Sequence, residues 1–330
     1  MQDLRNLPNM DKLIVEAAAT PMANRNFVKT APIALFTYNR LDHTARTINA
    51  LRENEFALES DLFIFSDGPK NSNAHSSVYA VRNYLKSVSG FKSVTIIERE
   101  LNFGLAKSLI EGVTLMCERH GRVIVLEDDL VTSPYFLRYM NEALDRYADN
   151  DNVISIHGYV YPVMDDLPES FLLRGADCWG WATWTRGWDC FEPDANKLMH
   201  ALQASRETKV FDFDGNYPYA GMLKQQIRGD INSWAIRWYA SAFLANKLTL
   251  YPGKSLIQNI GNDSSGTHCG ATELFDADMA LHPIRLDDIP VVSSQAGYDA
   301  FSRYFAGIRP SLYGRMKIKL KRLVDRWRAN

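Results

Sequence analysis

The chain has 330 residues, 46% of them hydrophobic and 23% charged, with a formal net charge of −2. At this size and composition it can fold as one large α/β domain or two smaller ones, and its near-neutrality argues against a nucleic-acid partner. No apolar run approaches the roughly 18 residues that span a bilayer, no secretory signal opens the chain, and its four cysteines form no CxxC pair. We therefore expect a cytoplasmic protein, soluble or peripheral on the inner face of the cell membrane.

Strand and helix patterns alternate after a polar N-terminal extension at residues 1–30. Apolar runs predict strands at residues 33–38, 62–67, 93–98 and 122–128. Amphipathic stretches predict helices at residues 42–54, 76–88 and 104–120, with Gly121 as the C-cap of the third. This alternation predicts an α/β fold with right-handed crossovers and a mostly parallel sheet that helices cover on both faces.

The pattern loosens after residue 151. Strands are predicted at 153–159 and 248–252, and a helix at 233–247. Before that helix lie "CWGWATWTRGW" at residues 178–188, with four tryptophans, and a polar stretch at about 203–230. Trp side chains are large and mostly buried, so we expect Trp184 and Trp188 in the core.

The fourth predicted strand ends in three consecutive carboxylates, Glu127, Asp128 and Asp129. Like charges repel and are costly to desolvate, whereas carboxylate oxygens are preferred ligands of Mg²⁺ and Mn²⁺. The alternative is an ordinary acidic surface turn before the next helix. Because Thr132 or Ser133, followed by Pro134, already provides a good helix start, we favour a metal site.

Polar residues also end the first two strands, as Asn39-Arg40 and Ser66-Asp67-Gly68. In open α/β sheets ligands bind beyond the carboxyl ends of the strands, so these ends and the acidic run are expected at one crevice. The chain lacks GxxxxGK[ST], GxGxxG and GxSxG motifs, which disfavours a P-loop NTPase, a dinucleotide dehydrogenase and an α/β-hydrolase.

The segment "VIVLEDDLVTSPYFLRYM" resembles the metal-binding region of GT-A glycosyltransferases, especially the N-acetylglucosaminyltransferase I type. The order of "TYNR", "FSDGP", "LEDDL", the Gly-Trp segment and "GTH" is similar to that of bacterial polysaccharide-cluster sugar transferases, over about residues 31–270. The resemblance implies a Rossmann-like GT-A domain at 31–305. Within it, residues 31–150 would bind nucleotide and 151–305 the acceptor.

The resemblance also implies roles for individual residues. The expected donor-binding residues are Thr37, Asn39, Arg40, Asp67, Asn102, Lys107, Glu127 and Asp128. Mn²⁺ or Mg²⁺ would be held by Asp129 and His268. Bland alternatives stay open: Ser-Asp-Gly-Pro is a common turn, Lys107 can be a solvated side chain, and a lone histidine is usually structural.

Transfer with inversion, which the resemblance implies, needs a general base for the acceptor hydroxyl. In GT-A enzymes this is an acid near a Trp at the start of a late helix, and in "RGDINSWAIRW" the acid is Asp230. Asp230, Asn232 or Ser233 can instead cap that helix. Gly180, Trp181 and Trp234 are expected beside the donor or acceptor sugar, with a hydrophobic minicore as the alternative for the tryptophans.

The C-terminal tail, residues 306–330, is strongly basic. From Arg309 to Asn330 there are eight Lys/Arg and one acid, which leaves the preceding chain at −9. Apolar side chains at helical spacing oppose a basic face over residues 312–328, which predicts an amphipathic helix on an anionic membrane surface. The alternative is a helix docked on its own domain.

The sequence thus favours a metal-dependent glycosyltransferase of the hexosyl or N-acetylhexosaminyl class in surface polysaccharide biosynthesis. It would move a sugar from a nucleotide-sugar donor, expected to be UDP-linked, to a glycan or lipid-linked acceptor. Two alternatives are a non-catalytic carbohydrate-binding protein on the same fold and a sugar nucleotidyltransferase. The second usually carries a glycine-rich basic signature that "APIALFTYNR" lacks.

Overall fold

The computed structural model describes residues 30–263 and 272–309. Its strands are β1 (Ile33–Thr37), β2 (Asp61–Ser66), β3 (Ser93–Glu98), β4 (Arg122–Glu127), β5 (Leu130–Thr132), β6 (Val153–His157), β7 (Ser170–Arg174), β8 (Trp181–Trp184), β9 (Leu248–Pro252) and β10 (Ile257–Asn259). Its α-helices are α1 (Leu41–Arg52), α2 (His75–Leu85), α3 (Leu105–His120), α4 (Phe136–Arg146), α5 (Thr185–Trp188), α6 (Ala195–Ser205), α7 (Thr208–Phe211), α8 (Tyr219–Ile227), α9 (Trp234–Leu244) and α10 (Gln295–Ile308).

Eight of the strands form one sheet in the order β3-β2-β1-β4-β8-β6-β9-β7. All of them run in one direction except β7 and β8, which pair antiparallel with their neighbours. The first four strands follow the doubly wound order 3-2-1-4. Strands β2 and β3 are added on one side of β1 and β4 on the other, so the order of addition reverses between β1 and β4. The predicted mixed α/β architecture with a mostly parallel sheet is therefore confirmed.

Two hydrophobic cores cover the two faces of the sheet. Alternate residues of β1 point to opposite faces, so Ile33 and Leu35 join one core while Ala34 and Phe36 join the other. Around β1–β4 the first core contains the buried sides of α1, α2 and α4, and the second contains that of α3 together with Trp234 and Trp238 of α9. At the β7 end of the sheet the first core also takes in other residues of α9. The two are called the α1 face and the α3 face below.

The start of α4 differs from the prediction. The helix begins at Phe136, after Tyr135, and no side chain caps it. Thr132 instead ends β5 and accepts a hydrogen bond from Asn54 Nδ2 at 2.8 Å, while the Ser133 hydroxyl donates to the Ala280 carbonyl at 2.9 Å. The prediction was wrong because Thr132 belongs to β5, and Ser133, which also accepts from the Tyr135 amide at 3.4 Å, lies in the turn before the helix.

Other predictions for the first half agree with the structure to within a few residues, and Gly121 is the left-handed C-cap of α3 with φ +78°. The sequence patterns missed β7, β8 and the helices between residues 195 and 227. Within residues 30–263 and 272–309, no helix is long and apolar enough to cross a membrane. The basic stretch 312–328 lies outside the described residues, so its role at a membrane stays a prediction.

Candidate functional site

The sheet brings the polar strand ends together as expected. Thr37 at the end of β1 pairs in register with Ser66 at the end of β2, and Phe36 pairs with Glu127 at the end of β4. The residues that follow each strand therefore leave the same edge of the sheet. This edge is the crevice in which ligands bind in doubly wound folds.

Arg40 lies against two of the three acids. Its Nη2 donates to Asp128 Oδ1 and, at 2.7 Å, to Asp129 Oδ2. Burial on its own lowers the pKa of Arg40, but attraction to Asp128 and Asp129 outweighs this and raises the pKa overall. The positive charge that the acidic run requires is thus supplied, in this structure, by a side chain of the chain itself.

The backbone around the acidic pair is held from two sides. The Thr47 hydroxyl of α1 donates to the Asp128 carbonyl at 2.9 Å, and the Ile260 amide donates to the Asp129 carbonyl at 2.9 Å. Gly261 packs on the Asp129 carboxylate so closely that an added Cβ would lie 2.1 Å from Oδ2. Asp129 therefore depends on a glycine at position 261.

Glu127 occupies a different environment from its two neighbours. Desolvation raises its pKa to about 8, Asp129 and Asp128 add to the rise, and Arg40 and a hydrogen bond with the Trp234 side chain oppose it. Desolvation also raises the pKa of Asp128, to about 6, with Arg40 opposing. Glu127 therefore holds its proton more readily than Asp128 does.

Asp67 organises the neighbouring loop. Its Oδ1 accepts from the amides of Gly68 at 2.9 Å and Phe103 at 2.8 Å, and its Oδ2 accepts from Gly104 N at 2.9 Å and Asn102 Nδ2 at 3.0 Å. Four donors satisfy the carboxylate completely. Asp67 and Asn102 thus bind each other here, and their predicted contacts with a donor stay predictions.

The remaining predicted donor residues lie at the same edge. Thr37 is buried, and within the described part of the chain its hydroxyl has no hydrogen-bond partner. Asn39 is half-buried just before Arg40. Lys107 lies in the first turn of α3, exposed, with Nζ 3.7 Å from Glu111 and 4.1 Å from the centre of the Phe103 ring. The convergence that the sequence predicted is present, and direct donor contacts remain untested.

Trp181 lies in the core rather than at a surface. It is 0% exposed, and its ring stacks on Trp234 with the centroids 5.5 Å apart and packs against Trp188 and Trp238. A sugar ring therefore cannot reach it in this conformation. The prediction that Trp184 and Trp188 are core residues is confirmed, since each is 6% exposed.

Gly180 is required by packing. Its φ is +64°, and an added Cβ would lie 2.6 Å from Ile257 Cδ1. The lack of a side chain at Gly180 thus allows the Ile257 side chain of β10 to pack against its backbone. In the same segment Trp179 is only partly buried, packing edge-on against Tyr159 and Phe275.

Asp230 is exposed in the loop before α9. It forms an ion pair with Arg228, whose Nη2 lies 2.7 Å from Asp230 Oδ2, and Ser233 is the N-cap of the helix. The acid that contacts Trp234 is Glu127. The role of Asp230 as a base stays a prediction, and His268 lies outside the described residues.

Among the described residues, the acidic pair is bridged by Arg40 and does not belong to a larger cluster of ligand side chains. Oxygen ligands of this kind suit Mg²⁺ or Mn²⁺. However, the Arg40 guanidinium occupies Asp128 and Asp129, and among residues 30–263 and 272–309 no group of three or more His, Cys, Asp or Glu side chains is placed to hold a metal ion. Arg40 contacts one oxygen of each aspartate, Asp128 Oδ1 and Asp129 Oδ2.

Three features of this edge were not anticipated from the sequence. His43 Nε2 lies 3.1 Å from Asp263 Oδ2, and the buried Asn262 Nδ2 has no hydrogen-bond partner among the described residues. A cavity of about 490 Å³ opens beyond β6 and β9, lined by residues 160–169, 253–255, 277–278 and 284. The acidic residues in the cavity lining lie in irregular segments of the chain, so no helix or strand pattern in the sequence predicts that they line a cavity.

Comparisons with known proteins give low similarity. No protein-family model matches the chain, and no curated protein matches its sequence. Among solved structures, the mannosyltransferase PcManGT from Pyrobaculum calidifontis, in complex with GDP-Man and Mn²⁺, matches 40% of the chain at 13% identity with a TM-score of 0.31. S. aureus TarS matches 44% of it at 12% identity with a TM-score of 0.30.

The chain spans 36% and 25% of the length of those two proteins. Likeness at this level assigns neither an activity nor a ligand to the chain.

Proposed function

We propose that the chain is a glycosyltransferase that transfers a sugar from a UDP-linked donor to a glycan or lipid-linked acceptor, with inversion at the anomeric carbon. One observation carries the proposal. The polar ends of β1, β2 and β4 meet at one edge of the sheet, where Arg40 bridges Asp128 and Asp129 beside the protonatable Glu127. The order of the sequence motifs supports the same family.

In this reaction an acceptor oxygen forms a bond to the anomeric carbon while the bond from that carbon to the diphosphate oxygen breaks. The acceptor proton passes to a base, and negative charge develops on the departing diphosphate. Arg40 is proposed to neutralise the negative charge on the diphosphate. To do so, its guanidinium would move from the aspartates toward the diphosphate. Asp230 is the proposed base, since it precedes α9 and is open to solvent.

Donor binding is proposed to use the unpartnered hydroxyl of Thr37 and the half-buried Asn39. A buried hydroxyl without a partner is costly, and a ribose or base oxygen in the crevice would satisfy it. Asp67 would then act by holding the loop at Asn102 in place. Trp234 would orient Glu127 toward the sugar through their hydrogen bond.

Dependence on Mn²⁺ or Mg²⁺ is a separate part of the proposal. A bound metal would supply positive charge at the diphosphate. Asp129, seated on Gly261, is the proposed ligand, with His268 as a second. The two parts separate experimentally, because nucleotide binding through Arg40 persists when a chelator removes divalent metal, whereas binding through a metal does not.

The cavity beyond β6 and β9 is the proposed acceptor region. Its lining includes the carboxylates of Asp165, Asp166 and Asp278, with Tyr161 as an aromatic wall. Carboxylates accept hydrogen bonds from sugar hydroxyls, and an aromatic face suits a sugar ring. The cavity lies at the carboxyl edge of β6 and β9, which run in the direction of β4.

The test is thermal unfolding of the full chain with UDP, GDP, CDP or ADP, each with EDTA or with Mn²⁺. A ligand that binds the folded state alone raises the melting temperature. We expect a shift with UDP that is reduced in Arg40→Gln and Asp129→Asn and retained in Glu118→Gln, an exposed acid of α3. A shift in EDTA would assign binding to the chain's own residues, and one that needs Mn²⁺ would support the metal.

If no nucleotide shifts the transition under either condition, the transferase proposal fails. The carbohydrate-binding alternative would then be tested by titrating glycans in the absence of nucleotide.

A further inference from the structure

A small cavity lies between α3 and α9, at the carboxyl edge of the sheet and on the α3 face. It measures about 240 Å³ and is lined by Ala106, Lys107, Ile110, Glu111, Asn232 and Arg237. The first turn of α3 follows β3, and the first residue of α9, Trp234, bonds Glu127. Two residues of the lining, Asn232 and Arg237, thus lie within one helical turn in sequence of the residue that bonds Glu127.

Arg237 is the unusual member of this lining. It is 9% exposed, and among the described residues no carboxylate pairs with it. Its guanidinium donates to the Ser233 carbonyl at 3.0 Å and, at 3.4 Å, to the Pro193 carbonyl and Asn232 Oδ1. Burial lowers its pKa. Buried charges in proteins are normally paired, so an unpaired guanidinium beside a cavity calls for an anion.

The other charges around the cavity leave it positive. Glu111 is the one acid in its lining, and Arg99 already pairs with it at 3.0 Å. Lys107 Nζ is farther from Glu111, at 3.7 Å, and 58% of its side chain is exposed, so it can turn toward a ligand. Arg237 and Lys107 thus line a cavity whose one carboxylate, that of Glu111, is already shared between Arg99 and Lys107.

We propose that the cavity between Lys107 and Arg237 binds an oxyanion, a phosphate or carboxylate group of a substrate. Its volume is several times the roughly 30 Å³ that a water molecule takes in the liquid, so a tetrahedral oxyanion fits with some solvent. Guanidinium and ammonium groups are the side chains that bind such groups most strongly. The oxyanion comes either from the donor diphosphate or from a charged acceptor.

The experiment is isothermal titration calorimetry of the full chain with inorganic phosphate, at an ionic strength held constant with chloride. Wild type is expected to bind one phosphate per chain. Arg237→Gln should weaken binding about tenfold, since it removes a charged hydrogen-bond donor. Lys107→Gln, on an exposed position that does not affect folding, should weaken it up to about fivefold.

Lys197→Gln is the matched control, because Lys197 is 70% exposed on α6 and lies outside the cavity. Arg237→Lys keeps the charge and should retain part of the affinity. The proposal is overturned if wild type shows no saturable phosphate binding, or if Lys197→Gln weakens it as much as Lys107→Gln does.

A second titration in saturating UDP identifies the source of the oxyanion. If UDP competes with phosphate, the cavity holds the donor diphosphate; if both bind together, it holds an acidic group of the acceptor. Failure of UDP to bind at all would count against the proposed function only. Phosphate binding that Lys107→Gln and Arg237→Gln weaken would still establish this site.

Discussion

Arg40 and Arg237 lie at the same edge of the sheet, one on the α1 face and one on the α3 face, in opposite electrostatic surroundings. Arg40 touches two carboxylates, whereas Arg237 donates to carbonyl and amide oxygens and lies over the Phe191 ring. The first guanidinium neutralises charge that the chain already carries. The second has no carboxylate partner among the described residues, and we have proposed that a ligand neutralises it. Two arginines at one edge of the sheet thus differ in role because their neighbours differ.

The largest expected effect is the difference in stability between two variants of these arginines. Arg40→Gln leaves Asp128 and Asp129 near Glu127 without a cation, and we expect a loss of about 3 kcal/mol at pH 7.5. Arg237→Gln removes a buried unpaired charge and keeps an amide donor, so its cost should stay within about 1 kcal/mol. Urea unfolding of both variants measures this, and equal losses would break the comparison.

The double variant Arg40→Gln with Asp128→Asn sharpens the test. Removing one carboxylate should restore part of the stability, because the repulsion that Arg40 relieved is then smaller. Additive losses would mean that Arg40 and Asp128 do not interact.

Gly261→Ala is expected to have the next largest effect. The new methyl group would lie 2.1 Å from Asp129 Oδ2 and push the carboxylate off Arg40, at a cost of about 2 kcal/mol. Gly307→Ala is the control, because nothing lies within 4 Å of its Cβ. Denaturant midpoints that fall equally in the two variants would show that the contact with Asp129 is unimportant.

Glu127 should make stability depend on pH. Its pKa is raised to about 8 from an ordinary value of 4.5, so the folded chain holds this proton more tightly than the unfolded chain does. The stability it contributes is therefore fully present below about pH 4.5 and is lost as pH rises through about 8. Relative to Glu127→Gln, wild type should lose at least about 1 kcal/mol between pH 5 and pH 8.

Thermal unfolding of both proteins in EDTA from pH 5 to pH 8 measures this difference. Parallel curves for wild type and Glu127→Gln would show that Glu127 has an ordinary pKa in the folded protein.

The smallest effect on stability is expected for Asp230→Asn. Its ion pair with Arg228 is about half exposed and should contribute no more than about 0.5 kcal/mol. If Asp230 is the base, transfer should nevertheless fall at least about a hundredfold. Transfer is measured with the nucleotide-sugar whose nucleotide shifts the melting temperature, and Arg228→Gln is the matched control. An Asp230→Asn variant that folds normally and turns over as fast as wild type would show that Asp230 is not the base.

The prediction of the fold succeeded where patterns were local. Apolar runs and amphipathic helices up to residue 128 coincide with β1–β4 and α1–α3, because each depends on neighbouring residues within a few turns. It failed at β8, where Trp181 was expected near a sugar but lies in the core. A short strand between two others has no alternation by which a sequence reveals it.

The candidate site was predicted in part. Asp67 and the acids of residues 127–129 were placed at one edge, as the rule for parallel strands requires. The partner of the acids was not predicted, since Arg40 precedes Asp128 by 88 positions and was expected on a phosphate. Nor was the unpaired Arg237, whose sequence context "WAIRW" looks like an ordinary helix.

By itself, the sequence determined the elements of residues 31–128, the polar strand ends and the acidic run at the end of β4. These follow from side-chain period and composition, which act over short distances along the chain. Only the tertiary structure determined which charged side chains contact one another. It set Arg40 on Asp128 and Asp129, Trp234 on Glu127 and Arg237 beside a cavity, because electrostatic energy depends on distance in space and on burial, and sheet order fixes both.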